Sequence, residues 1–328
     1  MQSSGRNDDQ SAGRAVGRAN IWAALVTVWI VWGTTYLAIR VTVRSMPPLL
    51  SAGSRFLLAG ALLYAWAIRR GDRAGDRPTR KQWRSAAIIG ALLLLCSNGM
   101  IMTAEKSVPS GLTALIVAMV PLWMAFFDRL LFGRKLQAGA GIGLVTGFLG
   151  AALLVGGSIE GNADAAGTAL VVAAAITWTL GSLYARDAHL PARPLVGTAM
   201  EMLVGGALLL IGGIVTGELS GLDPSTFRAG SMLALLYLVI FGSLVGFSSY
   251  VWLIRSAPTQ LASTYAYVNP VVAVCLGSVI LHEPLTARTA LAGAIIVASV
   301  ALIVTSQSRS GLGPPSDDAA AIRAASGE

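Results

Sequence analysis

The chain is 328 residues long, 55% hydrophobic and only 12% charged, with 37 glycines and a mean hydropathy of +0.68. An ordinary soluble domain carries about 25% charged residues, so lipid and not water is the main solvent of this sequence. Its two cysteines, Cys96 and Cys275, sit in apolar runs and exclude a disulfide-framed secreted scaffold. The net charge of +8 comes from arginines in short loops between apolar runs, which is a membrane-topology pattern and not a nucleic-acid footprint.

At the length that crosses a bilayer, about 20 residues, ten apolar segments emerge: 21–39, 48–68, 83–104, 110–132, 138–157, 166–186, 195–216, 229–254, 259–281 and 288–306. The first carries Trp22, Trp29, Trp32 and Tyr36; it is too long and too aromatic for a cleavable signal core and is expected to persist. Residues 1–20 and 307–328 are polar or low in complexity, and both are expected to be disordered cytoplasmic ends. The expected fold is therefore an all-α integral membrane protein with ten transmembrane helices.

The basic residues set the orientation. With the N-terminus in the cytoplasm, eighteen fall on the inner side, five on the outer side, and Arg55 lies inside a segment. That asymmetry predicts a multi-pass protein of the cell (inner) membrane with both termini cytoplasmic.

Shifted on itself by 146 residues, the chain sets Pro48-Leu49 on Pro194-Leu195, Gly60-Ala61-Leu62-Leu63 on Gly206-Ala207-Leu208-Leu209, and Trp32 on Trp178. At a shift of 149, Pro109 meets Pro258 and Pro121 meets Pro270. Two units follow, 21–157 and 166–306, each of five segments. Because five is odd, the second unit must enter the membrane from the opposite face. Inverted repeats are the architecture of secondary transporters, with the substrate site near the midplane between them.

Several stretches carry a family resemblance: Trp32-Gly33-Thr34-Thr35-Tyr36, Arg55-Phe56, Asn98-Gly99, Val108-Pro109-Ser110-Gly111, and the run Ser263 to Ala273 around Asn269-Pro270. Over about residues 21–306 the chain resembles the EamA-type transporters of the drug/metabolite transporter superfamily, and within them the YedA-like exporters of the bacterial inner membrane. The family's acidic turn has a match in Glu283-Pro284-Leu285, whereas its counterpart after the fourth segment reads Arg134-Lys135-Leu136. The resemblance implies a ten-helix fold and export of small organic metabolites or drugs, without naming a substrate.

Charge inside a membrane costs on the order of 2.5–3.5 kcal/mol on insertion scales, so intramembrane charges are functional candidates. Arg55 and Glu201 occupy matching positions in the two units. Each lies roughly 9 Å deep at 1.5 Å per residue, which leaves about 12 Å between them in a core of roughly 30 Å, too far for a direct pair. Glu105 matches Arg55 in depth and Arg255 matches Glu201. The expected pairs are Arg55 with Glu105 and Glu201 with Arg255, acting either as braces for helix ends or as gates and proton-linked switches.

Pro121 and Pro270 fall in the middle of segments 4 and 9, where each removes a backbone donor and points to a kink beside a cavity. The candidate cavity residues are Trp32, Tyr36, Asn98, Trp178, Tyr184, Tyr250, Tyr265, Tyr267 and Asn269. Tyr36 and Tyr184 read equally well as interfacial anchors, and Asn98 and Asn269 as interhelical hydrogen-bonding groups. Gly139, Gly143 and Gly147 form a close-packing face, within the monomer or in a homodimer.

These features predict a secondary active transporter that exports small organic metabolites, amino acids or related compounds, or drugs. A small-molecule substrate and the lipid bilayer are its expected partners, with a coupling proton possible and no nucleic acid, cofactor or metal. An importer of the same fold is the alternative. A membrane enzyme or channel is disfavoured: the histidines, His189 and His282, lie in loops, and the sequence shows no HExxH, Walker-A or filter motif.

Overall fold

The computed structural model describes residues 18–69, 78–133, 138–157, 164–257, 261 and 264–310. The sequence ends, the Arg134-Lys135-Leu136 turn and the side chain of Arg255 lie outside the described residues. Everything described is helix or connection, without strands. The helices are α1 (Arg18–Thr42), α2 (Pro48–Arg69), α3 (Arg80–Ala104), α4 (Ser110–Phe132), α5 (Ala138–Gly157), α6 (Ala165–Asp187), α7 (Pro194–Val215), α8 (Ala229–Ser256), α9 (Tyr265–Leu281) and α10 (Ala287–Ser310).

Local chemistry sets their ends. α2 and α7 both begin on a proline, whose fixed φ suits the first helical turn. Thr79 and Gln82 form a reciprocal capping box before α3. Asp164 caps α6 by accepting from the amides of Ala166 and Gly167. α4 and α9 close on left-handed residues, Gly133 at φ 63° and His282 at φ 55°.

Eight of these helices are long and apolar enough to cross a membrane, and two shorter apolar stretches, Ala138–Leu154 and Tyr265–Leu281, complete the set among the described residues. Their outward faces carry exposed Ile142, Val145, Leu149, Leu233, Val279 and Leu291, side chains that only lipid or another apolar surface accommodates.

α2 and α7 run against each other with bare backbone at the crossing. A Cβ on Gly60 would meet the Leu203 amide at 2.9 Å, and one on Gly206 the Leu57 amide at 2.7 Å. Glycine at matching places in two helices permits this approach, where van der Waals contact replaces the hydrophobic effect as the driving force. α5 packs on α10 in the same manner: Gly143 and Gly150 face Ile303 and Ile295, and Thr146 shares a 2.8 Å hydrogen bond with Ser299. The glycine face of α5 is thus used within the monomer.

Two cores result. One gathers Phe56, Leu63, Met102, Met202, Leu209 and Leu238 from α2, α3, α7 and α8; the other gathers Ile116, Leu122, Leu154, Ile296 and Val300 from α4, α5 and α10. Each draws on both halves of the sequence, so neither half buries its apolar surface alone.

Two features depart from the regular helices expected. α3 widens into a π-helix over Gly90–Asn98 and α8 over Leu238–Val245, with Gly99 donating to Leu94 and Gly246 to Phe241, five residues back. These stretches occupy matching places in the two halves, and π turns recur at functional sites. The paired prolines behave differently from one another. α4 is interrupted at Ala118–Met119 and restarts as Val120–Phe132 with Pro121 in its first turn, whereas α9 runs through Pro270 unbroken.

Candidate functional site

One aromatic cluster joins both halves. Trp32 of α1 lies 5.4 Å from Phe247, 5.0 Å from Tyr250 and 5.3 Å from Tyr265, centroid to centroid, and Tyr250 lies 5.4 Å from Tyr265. The π turn of α8 ends immediately before Gly246, and a Cβ on Gly246 would stand 2.5 Å from Nε1 of Trp32. The indole therefore rests on bare backbone, and the extra residue in the π turn sets the register that turns Phe247 and Tyr250 toward α1.

The cluster is fixed from α9. Trp29 donates its indole N–H to the Thr264 hydroxyl at 3.0 Å. Asn269 is buried, and with its amide nitrogen facing the two carbonyls it donates to Trp29 at 3.2 Å and Tyr265 at 3.3 Å. Asn269 is thereby engaged as a tie between α1 and α9. Asn98 is engaged too, donating to the Leu93 carbonyl at 2.9 Å within the π turn of α3. Of the expected cavity residues, then, Trp32, Tyr250 and Tyr265 come together. Both asparagines hold helix backbone instead, because a buried amide takes the nearest free carbonyl.

Tyr36 stands within electrostatic reach of Tyr265 and Glu105, whereas Tyr184 and Tyr267 lie elsewhere and Trp178 makes no ring contact with the described residues. Tyr36 lies one turn along α1 from Trp32 and is half-buried, as is Trp178 in α6. Tyr267 packs on the second core. Tyr184 is exposed at the end of α6, where with Phe132, Leu183, Asp187 and His189 it lines a cleft of about 340 Å³. Phe247, Thr264 and Ser243 were not among the sequence candidates; the aromatic-rich stretch Phe247 to Trp252 was the signal for the first.

The charge pairing is corrected. Arg55 is 4% exposed and donates its Nε–H to the Ser243 hydroxyl at 2.9 Å, with its Cζ 4.6 Å from the Phe56 ring centre. It makes no ion pair with Glu105. The guanidinium faces the π turn of α8, whereas Glu105 ends α3 beside α1, where its carbonyl accepts from Arg40. Both carboxylate oxygens of Glu105 are buried without a hydrogen-bond partner. Glu201 is half-buried on the α7 face turned to the other π turn, since a Cβ on Gly90 would lie 2.7 Å from the Glu201 carbonyl. Glu201 forms no ion pair or hydrogen bond with a described side chain, and Arg255 lies outside the described side chains. Each intramembrane charge thus sits against the π turn of the opposite half.

Acidic side chains cap helices at the end of the bundle that carries Glu105. Glu283 accepts from the amides of Ser110 and Gly111 at 2.8 and 3.1 Å and from the Ser110 hydroxyl at 2.9 Å. Glu218 accepts from Leu49 and Leu50 at 3.2 and 3.0 Å. Asp164 receives the Ser107 hydroxyl at 2.7 Å, and that bond, with the Gly167 amide, holds its carboxyl below the usual carboxylate range. Carboxylates suit the positive ends of helix dipoles, and these three link separate segments. At the opposite end Arg186 pairs with Asp128 at 2.7 Å.

No group of three or more His, Cys, Asp or Glu among the described residues is arranged to hold a metal. Four aromatic rings from three helices thus meet in one cluster, and the buried Arg55 guanidinium forms no ion pair with a described residue.

The model of the EamA-like transporter family matches the chain twice, over residues 18–156 and 165–305. The chain is 41% identical over 285 residues to the protein of Escherichia coli (strain K12) named "Uncharacterized inner membrane transporter YedA", covering 86% of this chain and 90% of that one. It is 27% identical over 302 residues to a Salmonella typhimurium (strain LT2) protein named "Probable amino-acid metabolite efflux pump", covering 86% and 93%. A crystal structure shares the fold at TM-score 0.60 and 22% identity, over 88% of this chain and 98% of that one. With two matches to one family model, a relative of such length and identity, and an all-helical membrane architecture, the chain belongs to the EamA-like transporter family, as a multi-pass membrane transporter.

Proposed function

We propose that the chain is a secondary active transporter that exports small organic metabolites, amino acids or related compounds, or drugs across the bacterial inner membrane by alternating access. In this reading both shorter helices span the bilayer, giving ten crossings as two inverted five-helix repeats. Both termini are cytoplasmic, and the end bearing Glu105 and Glu283 faces outward. Supporting export is the name of the Salmonella typhimurium relative, an efflux pump; supporting the inner membrane is that of the Escherichia coli relative.

The observation that carries the proposal is the meeting of Trp32, Phe247, Tyr250 and Tyr265 from α1, α8 and α9. A few rings and sparse polar groups are what a small-molecule site requires. Its walls come from both halves, so rocking of one half against the other would change access to it. The glycine-lined α2–α7 crossing is the surface on which the halves meet, and the π turns are where α3 and α8 can change register. Glu105, buried beside Arg40, is the carboxylate we assign to a coupling proton.

Ligand-induced thermal stabilisation of the purified protein across a metabolite library tests the site. Compounds that stabilise the wild type and fail to stabilise Trp32→Ala are expected; a library in which every stabilising compound acts equally on both would remove the aromatic cluster from the proposal. Energised inside-out vesicles then give the direction. Accumulation of the compound inside them supports export.

A further inference from the structure

Arg55 is held in a manner that a brace does not need. Its guanidinium is almost wholly buried, yet only Nε is bonded, to a serine in the π turn of α8. The two Nη groups have no ion pair and no hydrogen bond to a described residue, so the charge and most of the donor fork remain unanswered. A cation buried among apolar side chains calls for a counter-charge, and among the described residues the protein supplies none. The fork is nonetheless oriented. Ser243 fixes Nε, the Phe56 ring lies against Cζ at 4.6 Å, and the bare backbone of Gly242 flanks Nη2, where a Cβ would intrude to 3.1 Å.

The direction in which the fork is offered links it to the aromatic cluster. A Cβ on Gly242 would also stand 3.2 Å from Cγ2 of Thr35. Thr35 follows Trp32 by three residues on α1, and Gly242 precedes Gly246 by four on α8, so each pair lies on one helix face. Thr35, which shares the Gly242 contact with the guanidinium, stands about 4.5 Å along α1 from Trp32, three residues at 1.5 Å rise, a step comparable with the span between a ring and the acid group of a small amphipathic acid.

We propose that Arg55 is the anion-recognition residue of the substrate site and that the transported compounds are small carboxylates bearing an aromatic or apolar body. This rests on the transporter reading above. The carboxylate takes the open edge of the guanidinium, for which the fork geometry is matched, and the apolar body lies against Trp32, Phe247, Tyr250 and Tyr265. Ser243 is a positioning residue that aims the fork.

The test uses the full-length protein in detergent with 3-phenylpropionate and its neutral amide, 3-phenylpropionamide, titrated by tryptophan fluorescence and by thermal shift. The acid is expected to bind at least tenfold tighter than the amide. Arg55→Gln should abolish that difference and Arg55→Lys restore part of it. Ser243→Ala, which keeps the charge and loses the aim, should reduce the acid preference at least threefold, and it decides the matter if Arg55→Gln fails to fold. Equal affinity for acid and amide, no binding of the acid at millimolar concentration, a preference that survives Ser243→Ala and Arg55→Gln alike, or equal stabilisation by chloride alone would overturn the proposal. Should neutral or cationic compounds be transported with dependence on Trp32 while the acid preference is absent, this inference falls and the transporter reading stands. Should no compound be transported at all, the transporter reading falls first.

Discussion

Nε1 of Trp32 would lie 2.5 Å from a Cβ at position 246, so the indole at the centre of the aromatic cluster exists in this pose only because residue 246 is glycine. The first prediction follows directly. Gly246→Val should displace Trp32 from α8, costing about 1–3 kcal/mol as an overpacked contact, and should weaken ligand binding well beyond the loss of thermal stability. Trp32→Ala should lose binding with a smaller change in melting temperature, because the space it leaves adjoins the site. Binding titrations on folded, monodisperse protein check both.

The glycine crossing of α2 and α7 makes a second prediction. Gly206→Leu places a branched side chain where the Leu57 amide is only 2.7 Å from a bare Cβ position. The helices must then separate, and a loss of about 1–3 kcal/mol or more in stability is expected. Gly141→Leu, on a glycine whose Cβ would meet nothing within 4 Å, should be nearly neutral. Thermal denaturation of the pair in one detergent distinguishes contact from composition.

Glu283 receives three hydrogen bonds from the first turn of α4, joining the end of α9 to the start of α4 across the bundle. Glu283→Ala should cost about 1–2 kcal/mol, the scale of a lost helix cap, and Glu283→Gln less, because the amide oxygen still accepts. A cysteine pair at residues 111 and 283 should crosslink readily in the structure described here and more slowly under conditions that open this end. Crosslinking unaffected by any transported compound would mean that this end does not move.

Much of this was legible from sequence because membrane burial leaves few solutions. Long apolar segments are imposed by lipid, and the 146-residue self-similarity reflects the two copies of one family unit. Trp32, Tyr250 and Tyr265 were visible as polar-edged rings in apolar surroundings. The π turns were not visible, since Gly90–Asn98 and Leu238–Val245 are as apolar as any helix and the wider hydrogen-bonding pattern leaves no compositional mark. The Arg55–Glu105 pairing failed because depth along the membrane normal says nothing of rotation about the helix axis. Counting residues along the segments pairs Arg55 with Glu105, yet α2 turns its arginine to Ser243 of α8 while α3 ends beside Arg40 of α1. Asn98 and Asn269 were open to two readings in the sequence, and their amides donate to helix carbonyls, since a buried amide serves a carbonyl as readily as a ligand.

Asp164 supplies a pH-dependent prediction. Its carboxyl is held below the usual range by the Ser107 hydroxyl and the Gly167 amide, so it stabilises the fold above the unfolded-state value, about 3.9 for an aspartate. That contribution is lost as pH falls through the lower folded value. Asp164→Asn should therefore melt below the wild type at pH 7, with the gap narrowing as pH falls from 4 toward 3. Melting curves at half-unit intervals show it; a gap constant across that window would contradict the cap.

The central claim is that residues from both halves form one substrate site that opens alternately to the two sides. Counterflow in proteoliposomes tests it most directly: vesicles preloaded with an unlabelled compound from the stabilisation screen, diluted into a trace of the labelled compound. The account predicts transient, saturable accumulation of label above equilibrium that is absent with Trp32→Ala protein and with empty vesicles. Label that merely equilibrates, or accumulates equally with Trp32→Ala, would contradict it.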